Sequence, residues 1–243
     1  EAEAETGIAL HKAIVGGHRE IVNILLENGA SIETAFEGNK PLHVAAEAGD
    51  AEIMRSLLRR GADKDELDGL GFTATYSAAQ FGHVAGVQAL LTAGADINLG
   101  CGDNLFLPVH VASQLGNVDV LRALLDHGSG VYAATAVDGC TALHFSANHN
   151  RPIAIKVLVE AGANIQAPDD TGATPLHHAN SSPDAALALV KHGADTNAAT
   201  HMGRTPLHYA ACKGGRQGTA QVVDVLLRWG ADEKAEDDNG RTP

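Results

Sequence analysis

Thirteen histidines and three cysteines are the residues of this 243-residue chain best suited to chemistry. Imidazole and thiolate bind transition metals, and an imidazole beside a nucleophile drives acyl transfer. Spacing decides which of these is open. Cys101, Cys140 and Cys212 form no C-x-x-C pair, and an odd count of distant thiols makes no disulfide framework, so a reducing compartment is expected. Cys140 and His144 stand four apart, but Cys140 falls in a turn and no second ligand pair follows at zinc spacing. The neighbours His177 and His178 diverge if they lie on a helix. Six histidines (His11, His43, His110, His144, His177, His208) recur at a near-constant interval, and His18 and His83 share a second recurrent slot. His127, His149, His178, His192 and His201 are left, scattered along the second half. There is no G-x-S-x-G, no phosphate-cradling G-x-x-x-x-G-K-[ST] and no H-E-x-x-H. Adjacent acids such as Asp237-Asp238 read as a solvated turn. The expectation is no catalytic residue, no metal site and no cofactor: not an enzyme.

The recurrence of those histidines points to the elements that must hold them. The slot is occupied at His11, His43, Tyr76, His110, His144, His177 and His208, with steps of 32, 33, 34, 34, 33 and 31. An independent landmark, the glycine of a Gly-Ala-Asp block, recurs at Gly29, Gly61, Gly94, Gly128, Gly162, Gly193 and Gly230, with steps of 32, 33, 34, 34, 31 and 37. Two landmarks with one period define repeats. Where the Thr-Pro-Leu-His block around the histidine is kept in full, as at Thr174-Pro175 and Thr205-Pro206, the Thr suits a helix N-cap and the Pro the first helical position. A short Ala-rich helix, as from Leu42 to Ala48, then ends at a glycine such as Gly49. Asp50 or its equivalent opens a second helix with apolar residues at helical spacing: Ile53, Leu57 and Leu58, or Val118, Leu121, Leu124 and Leu125. A polar, Gly/Asp/Asn-rich segment turns back.

The whole pattern resembles the ankyrin repeat. The third unit matches from Asp68 through Gly71, Ala78, Ala79, Gly82, His83, Leu90 and Leu91 to Gly94-Ala95-Asp96, and the seventh reads Gly203-Arg204-Thr205-Pro206-Leu207-His208. The resemblance covers roughly 6–243. It implies an all-α solenoid of stacked helix-turn-helix units with hairpin-like connecting loops, treated as one domain over 1–243. Its units run approximately 6–34, 35–67, 68–101, 102–135, 136–168, 169–199 and 200–236, with a partial unit at 237–243. It also implies that the recurrent imidazole makes structural hydrogen bonds around the turn. One helix pair cannot bury its own apolar face, so stability comes from neighbours. Small residues such as Ala45, Ala46, Ala78, Ala79, Ala210 and Ala211 let the inner helices approach closely.

Composition agrees. Only 4% of residues are aromatic, so thin layers must be filled by Ala, Leu, Ile and Val. A net charge of -13 argues against nucleic acid and anionic membranes. No apolar run reaches the roughly 18 residues of a membrane helix. Glu1-Ala2-Glu3-Ala4 resembles an expression-leader remnant, or else reads as native helix.

Several units depart from the pattern. Thr73-Ala74-Thr75-Tyr76 replaces Thr-Pro-Leu-His in the third, and Thr75 takes the place of a buried Leu, so packing there should be weaker. Asn180-Ser181-Ser182-Pro183 shortens the sixth, and Gly214 to Gly218 lengthen the seventh, predicting an enlarged loop. Neither end offers a clear polar cap, so the chain reads as a segment of a longer array or a larger protein.

If the resemblance holds, a partner protein binds the turn tips and the exposed side of the first helices. Counting from the Thr-Pro-Leu-His slot gives Phe36, Asn39, Leu70, Phe72, Phe81, Leu105, Phe106 and Leu115 as candidate contacts. Four of the five Phe fall among them, and aromatics are favoured interface anchors. The competing expectation is that adjacent tips pack on one another and partly hide these rings. Asn98 and Asn197 resemble sites of ankyrin asparagine hydroxylation, although asparagine also simply suits such turns. The sequence therefore predicts a monomeric, non-catalytic protein-binding scaffold in the cytoplasm, or a secreted one if Glu1 to Ala4 are native. The alternative is a regulatory or targeting domain of a larger enzyme, channel or effector.

Overall fold

The computed structural model describes residues 2–212 and 218–243. Fourteen helices lie among them, in pairs: α1 (Ala2–Val15) and α2 (Arg19–Glu27), α3 (Pro41–Ala48) and α4 (Ala51–Arg59), α5 (Ala74–Gln80) and α6 (Val84–Thr92), α7 (Pro108–Leu115) and α8 (Val118–Asp126), α9 (Ala142–Asn148) and α10 (Pro152–Glu160), α11 (Pro175–His178) and α12 (Pro183–Lys191), α13 (Pro206–Cys212) and α14 (Thr219–Arg228). The chain forms two compact units, Glu1–Pro108 with Asp126–Ser129, and Val109–Leu125 with Gly130–Pro243.

In the first unit, first helices pack on first helices (α1 on α3, α3 on α5) and second on second (α2 on α4, α4 on α6). In the other unit, α9, α11 and α13 stack in turn, as do α10, α12 and α14. This is the expected all-α arrangement of helix-turn-helix repeats. Its core is aliphatic: Leu10, Ile14, Met54, Leu57, Leu90, Leu121, Leu124, Ile155, Leu158 and Leu189 are fully buried. Ala45, Ala46, Ala78, Ala79 and Ala210 are equally buried on the inner helices, where their small size permits the close stacking. At Gly86 the approach is closer still: a Cβ there would sit 3.0 Å from Met54 Sδ, so α6 meets α4 at a position only glycine fills easily.

Local signals act as the sequence indicates. Gly49 is left-handed (φ 74°) at the end of α3, and the Asp50 carboxylate accepts from Glu52 N and Ile53 N, capping α4. Thr73 Oγ1 accepts from Tyr76 N at the start of α5. The sixth repeat is shortened as expected: α11 is a single turn, Asn180 Nδ2 donates to His177 O, and Ser182 Oγ donates back to Asn148 O. Of the predicted long loop in the seventh repeat, 213–217 lie outside the described residues.

The turns form a backbone ladder along each unit. Gly69 N donates to Gly38 O at 2.8 Å and Gly102 N to Gly71 O at 3.1 Å. In the second unit Asp170 N donates to Asp138 O, His201 N to Thr171 O and Asp238 N to Met202 O. Each tip is fixed by its neighbour, so a side chain on a tip is presented from a stiff base.

Candidate partner-binding surface

Phe36 and Asn39 close a two-residue hairpin by exchanging both backbone hydrogen bonds at 3.0 Å. Glu37 and Gly38 between them both have positive φ (53° and 84°), the geometry of the tightest hairpin turns. Asn39 O also accepts from His11 Nε2 at 2.7 Å. Phe36 and Asn39 border a groove of about 340 Å³ that also contains His11, Lys12, Val44 and Glu47.

In the next turn the Asp68 carboxylate accepts from Leu70 N and Phe72 N, at 2.8 and 2.9 Å. This pins the backbone and throws Leu70 outward. Cys101 and Phe106 make an analogous bridge in the fourth repeat, with Leu105 at φ 48°. Phe81 sits at the C-cap of α5, its ring 6.1 Å from that of His83.

The eight candidate contacts divide by exposure. Phe36 (37%), Leu70 (77%), Phe81 (55%) and Leu105 (53%) are exposed large apolar side chains of the first unit, and Leu115 (39%) is one in the second. Asn39, Phe72 and Phe106 are half-buried. Phe72 stacks on Tyr76 with centroids 4.6 Å apart, and Phe106 meets the same ring edge-on at 6.4 Å. Tyr76 stands where other repeats carry histidine, and its burial raises its phenol above the ordinary range. At this one junction the neighbouring rings fill space around the tyrosine, so packing of the tips hides two of the four expected phenylalanines and leaves Phe36 and Phe81 open.

The recurrent histidines are structural, as the resemblance implied. Each bridges to the next turn through Nε2: His11 to Asn39 O, His43 to Glu66 O, His110 to Ala133 O, His144 to Ala173 O, His177 to Arg204 O and His208 to Arg241 O, all within 2.7–3.1 Å. Burial lowers the His110, His144 and His177 imidazoles, the latter two to about 4. Tyr76 has no such nitrogen. There Thr73 N donates instead to the buried Cys101 Sγ at 3.4 Å, and burial raises that thiol.

Asn98 and Asn197 are both exposed in turns after second helices. The Asn197 amide is engaged at both ends, donating to Gly230 O at 3.0 Å and accepting from Asp232 N at 2.7 Å.

Sequence reasoning missed one cluster. Cys140, Asp169 and His178 offer a thiol, a carboxylate and an imidazole whose ligand atoms all lie within 4.8 Å of one another. No linear spacing signals it, because the three residues belong to two successive turns and the helix after them.

Among the described residues no helix is long and apolar enough to cross a membrane. The sequence profile of ankyrin repeats matches residues 10–101, 109–200 and 167–237. The chain is 33% identical over 180 residues to bovine ankyrin repeat and SOCS box protein 3, covering 72% of this chain and 34% of that protein. It is 30% identical over 159 residues to the chicken nuclear factor NF-kappa-B p105 subunit, covering 64% and 16% respectively. It thus spans about a third of one of these relatives and about a sixth of the other. The ankyrin repeat domain of human ASB11 superposes with a TM-score of 0.79 at 25% identity over 92% of this chain and 98% of that one. The ankyrin repeat domain of Bcl-3 superposes with a TM-score of 0.74 at 26% identity over 90% and 97%. With its repeats matched along nearly their whole length in both sequence and fold, the chain belongs to the ankyrin-repeat family.

Proposed function

We propose that this chain is a non-catalytic, monomeric protein-binding module that takes a partner segment on its first compact unit, at the turn tips of the second to fourth repeats and the first-helix ends of the second and third. The observation that carries the reading is the exposure of Phe36, Leu70, Phe81 and Leu105 on successive repeats whose tips are locked together by backbone hydrogen bonds. An exposed apolar cluster on a rigid base loses little conformational entropy on binding and gains by burial. Exposed Glu37, Glu47 and Asp103 lie in the same turns and helix end, so the favoured segment is apolar with flanking Lys or Arg. Membership of the ankyrin-repeat family, whose arrays usually bind proteins, supports the same reading. Against catalysis stand the committed imidazoles and the buried Cys101 and Cys140 thiols, both raised by burial and so kept protonated. Reduced buried thiols fit a cytoplasmic setting. Asn98 and Asn197 are the candidate hydroxylation positions, both exposed.

A second reading, a regulatory or targeting module within a longer protein, is favoured by the small share of its relatives that the chain spans. The test of the first reading is affinity capture with the wild-type chain and with a Leu70→Asp/Phe81→Asp variant of unchanged far-UV circular dichroism. Loss of the wild-type partner set by the variant supports the surface, and an unchanged set overturns it.

A further inference from the structure

The repeats carry their own control experiment for the Cys140, Asp169 and His178 cluster. Cys140 occupies the slot just before the N-cap Thr141, where other repeats have Asn39, Phe72, Phe106, Ala173 and Arg204. His178 follows the recurrent histidine, where other repeats have Lys12, Val44, Ser77, Val111, Phe145 and Tyr209. The fold therefore asks for neither a thiol nor an imidazole at these places. Only at this junction do both occur, and there the turn carboxylate of Asp169 stands beside them.

The donors are held by the surrounding structure. Asp169 Oδ1 accepts three hydrogen bonds, from Thr171 N, Thr171 Oγ1 and Ala173 N, at 2.7–2.9 Å. That leaves Oδ2, which lies 2.8 Å from His178 Nε2. Cys140 is buried at 4% exposure, its N donating to Thr135 Oγ1 and its O accepting from Thr135 N, both at 3.0 Å. Asp138, beside it, accepts a hydrogen bond from the thiol. No Lys or Arg pairs with Asp138, Asp169 or Asp170 among the described residues. The junction thus gathers negative charge and one shared proton, with no fixed cation.

We propose that Cys140 Sγ, Asp169 Oδ2 and His178 form a three-residue site for a zinc-like dication, with solvent completing a tetrahedron. A thiolate, a carboxylate and a neutral imidazole are a donor set zinc accepts, and with a dication they sum to zero charge. Bonds of about 2.0–2.3 Å at tetrahedral angles need donor atoms roughly 3.3–3.7 Å apart, so the His178–Asp169 pair opens by about half an ångström as the ion replaces the proton between them. The displaced Nε2 proton is exchanged through solvent to Nδ1, which leaves the imidazole neutral, and the thiol proton is released to solvent, so binding frees one proton and balances. The hydrogen bonds to Asp169 Oδ1 then act as outer contacts that aim that ligand, and the Asp138 carboxylate, no longer accepting from the thiol, adds negative charge that favours the dication. The same surroundings argue against a nucleophilic Cys-His pair: burial and the neighbouring Asp138, Asp169 and Asp170 push the free thiol up to about 12, so without a metal it stays protonated. Such an ion would clasp two successive turns.

The experiment uses the full chain with the exposed Cys212 replaced (Cys212→Ser), stripped with chelator and titrated with Zn²⁺ and Co²⁺. The expected result is one equivalent bound, a tetrahedral Co²⁺ spectrum with a thiolate charge-transfer band, and a rise in thermal midpoint on adding Zn²⁺. Cys140→Ser abolishes the charge-transfer band, and Cys140→Ser, Asp169→Asn and His178→Ala each weaken binding by about tenfold or more. A Co²⁺ spectrum of the unsubstituted-Cys140 chain without that band overturns the proposal even if a variant fails to fold. So does no binding below about 1 mM, or binding that survives both Cys140→Ser and His178→Ala.

Discussion

Thr205 and His208 meet at a single ring nitrogen: Thr205 N donates to His208 Nδ1 at 3.1 Å, and Thr205 Oγ1 lies 2.9 Å from the same atom. Because Nδ1 accepts, the proton sits on Nε2, which donates to Arg241 O in the next turn. Thr141 with His144 and Thr174 with His177 repeat the arrangement. One residue pair thus caps a helix and fastens it to the following repeat. His43 shows the contrast. Lys40 stands in the threonine slot, and His43 Nδ1 is buried without a partner. Thr174→Ala should therefore lower stability by about 1–2 kcal/mol in urea unfolding, through loss of the cap. A change below a few tenths of a kcal/mol would show that the hydroxyl is idle.

Stability should fall as pH drops from about 6.5 to about 4. His144 and His177 are held near 4 chiefly by burial, with His178 repelling the charged form of each, and His110 is lowered for the same first reason. The unfolded chain takes up protons near its ordinary imidazole pKa while the native chain does not. The contribution of the neutral His144 and His177 imidazoles is complete above about 6.5 and is lost on acidification, on the order of 2–3 kcal/mol each by pH 4, and His110 acts in the same direction. Urea midpoints measured across this range should decline steadily, and a flat profile would contradict the assignment of neutral, buried rings.

Thr75 fills a leucine slot in α5 and is 1% exposed, with Oγ1 lacking any hydrogen-bond partner. Thr75→Val removes that hydroxyl at nearly constant volume and should raise stability by about 1 kcal/mol. Chemical denaturation decides it: a destabilised Thr75→Val chain would mean the hydroxyl finds a partner in solution.

The repeat, its caps and its aliphatic core were legible because they depend on local chemistry: Asp50 ahead of α4, Gly49 after α3, small residues on the inner helices. What the sequence could not show depends on neighbours one repeat away. Phe72 and Phe36 lie on successive tips, yet the Tyr76 ring stacks on the first, while the second meets only the His11 ring, at 5.8 Å and tilted, among the ring contacts described, and stays exposed. His178 looked like a leftover imidazole because its partners, Asp169 and Cys140, lie in two different turns. The Asn197 amide, too, spends its bonds on the following turn, which no local pattern announces.

The central claim is that partners are taken by the tips and first-helix ends of the first unit. A photo-crosslinking residue placed at Leu70, at Phe81 or at Ile21 tests it most directly. Ile21 is an exposed apolar control on the second helix α2. The expected result is covalent capture of one partner from the Leu70 and Phe81 positions, mapped to an apolar segment flanked by basic residues, with none from Ile21. Equal capture from Ile21, or none from Leu70 and Phe81 in cells where the wild-type chain retains its partner, would contradict the claim.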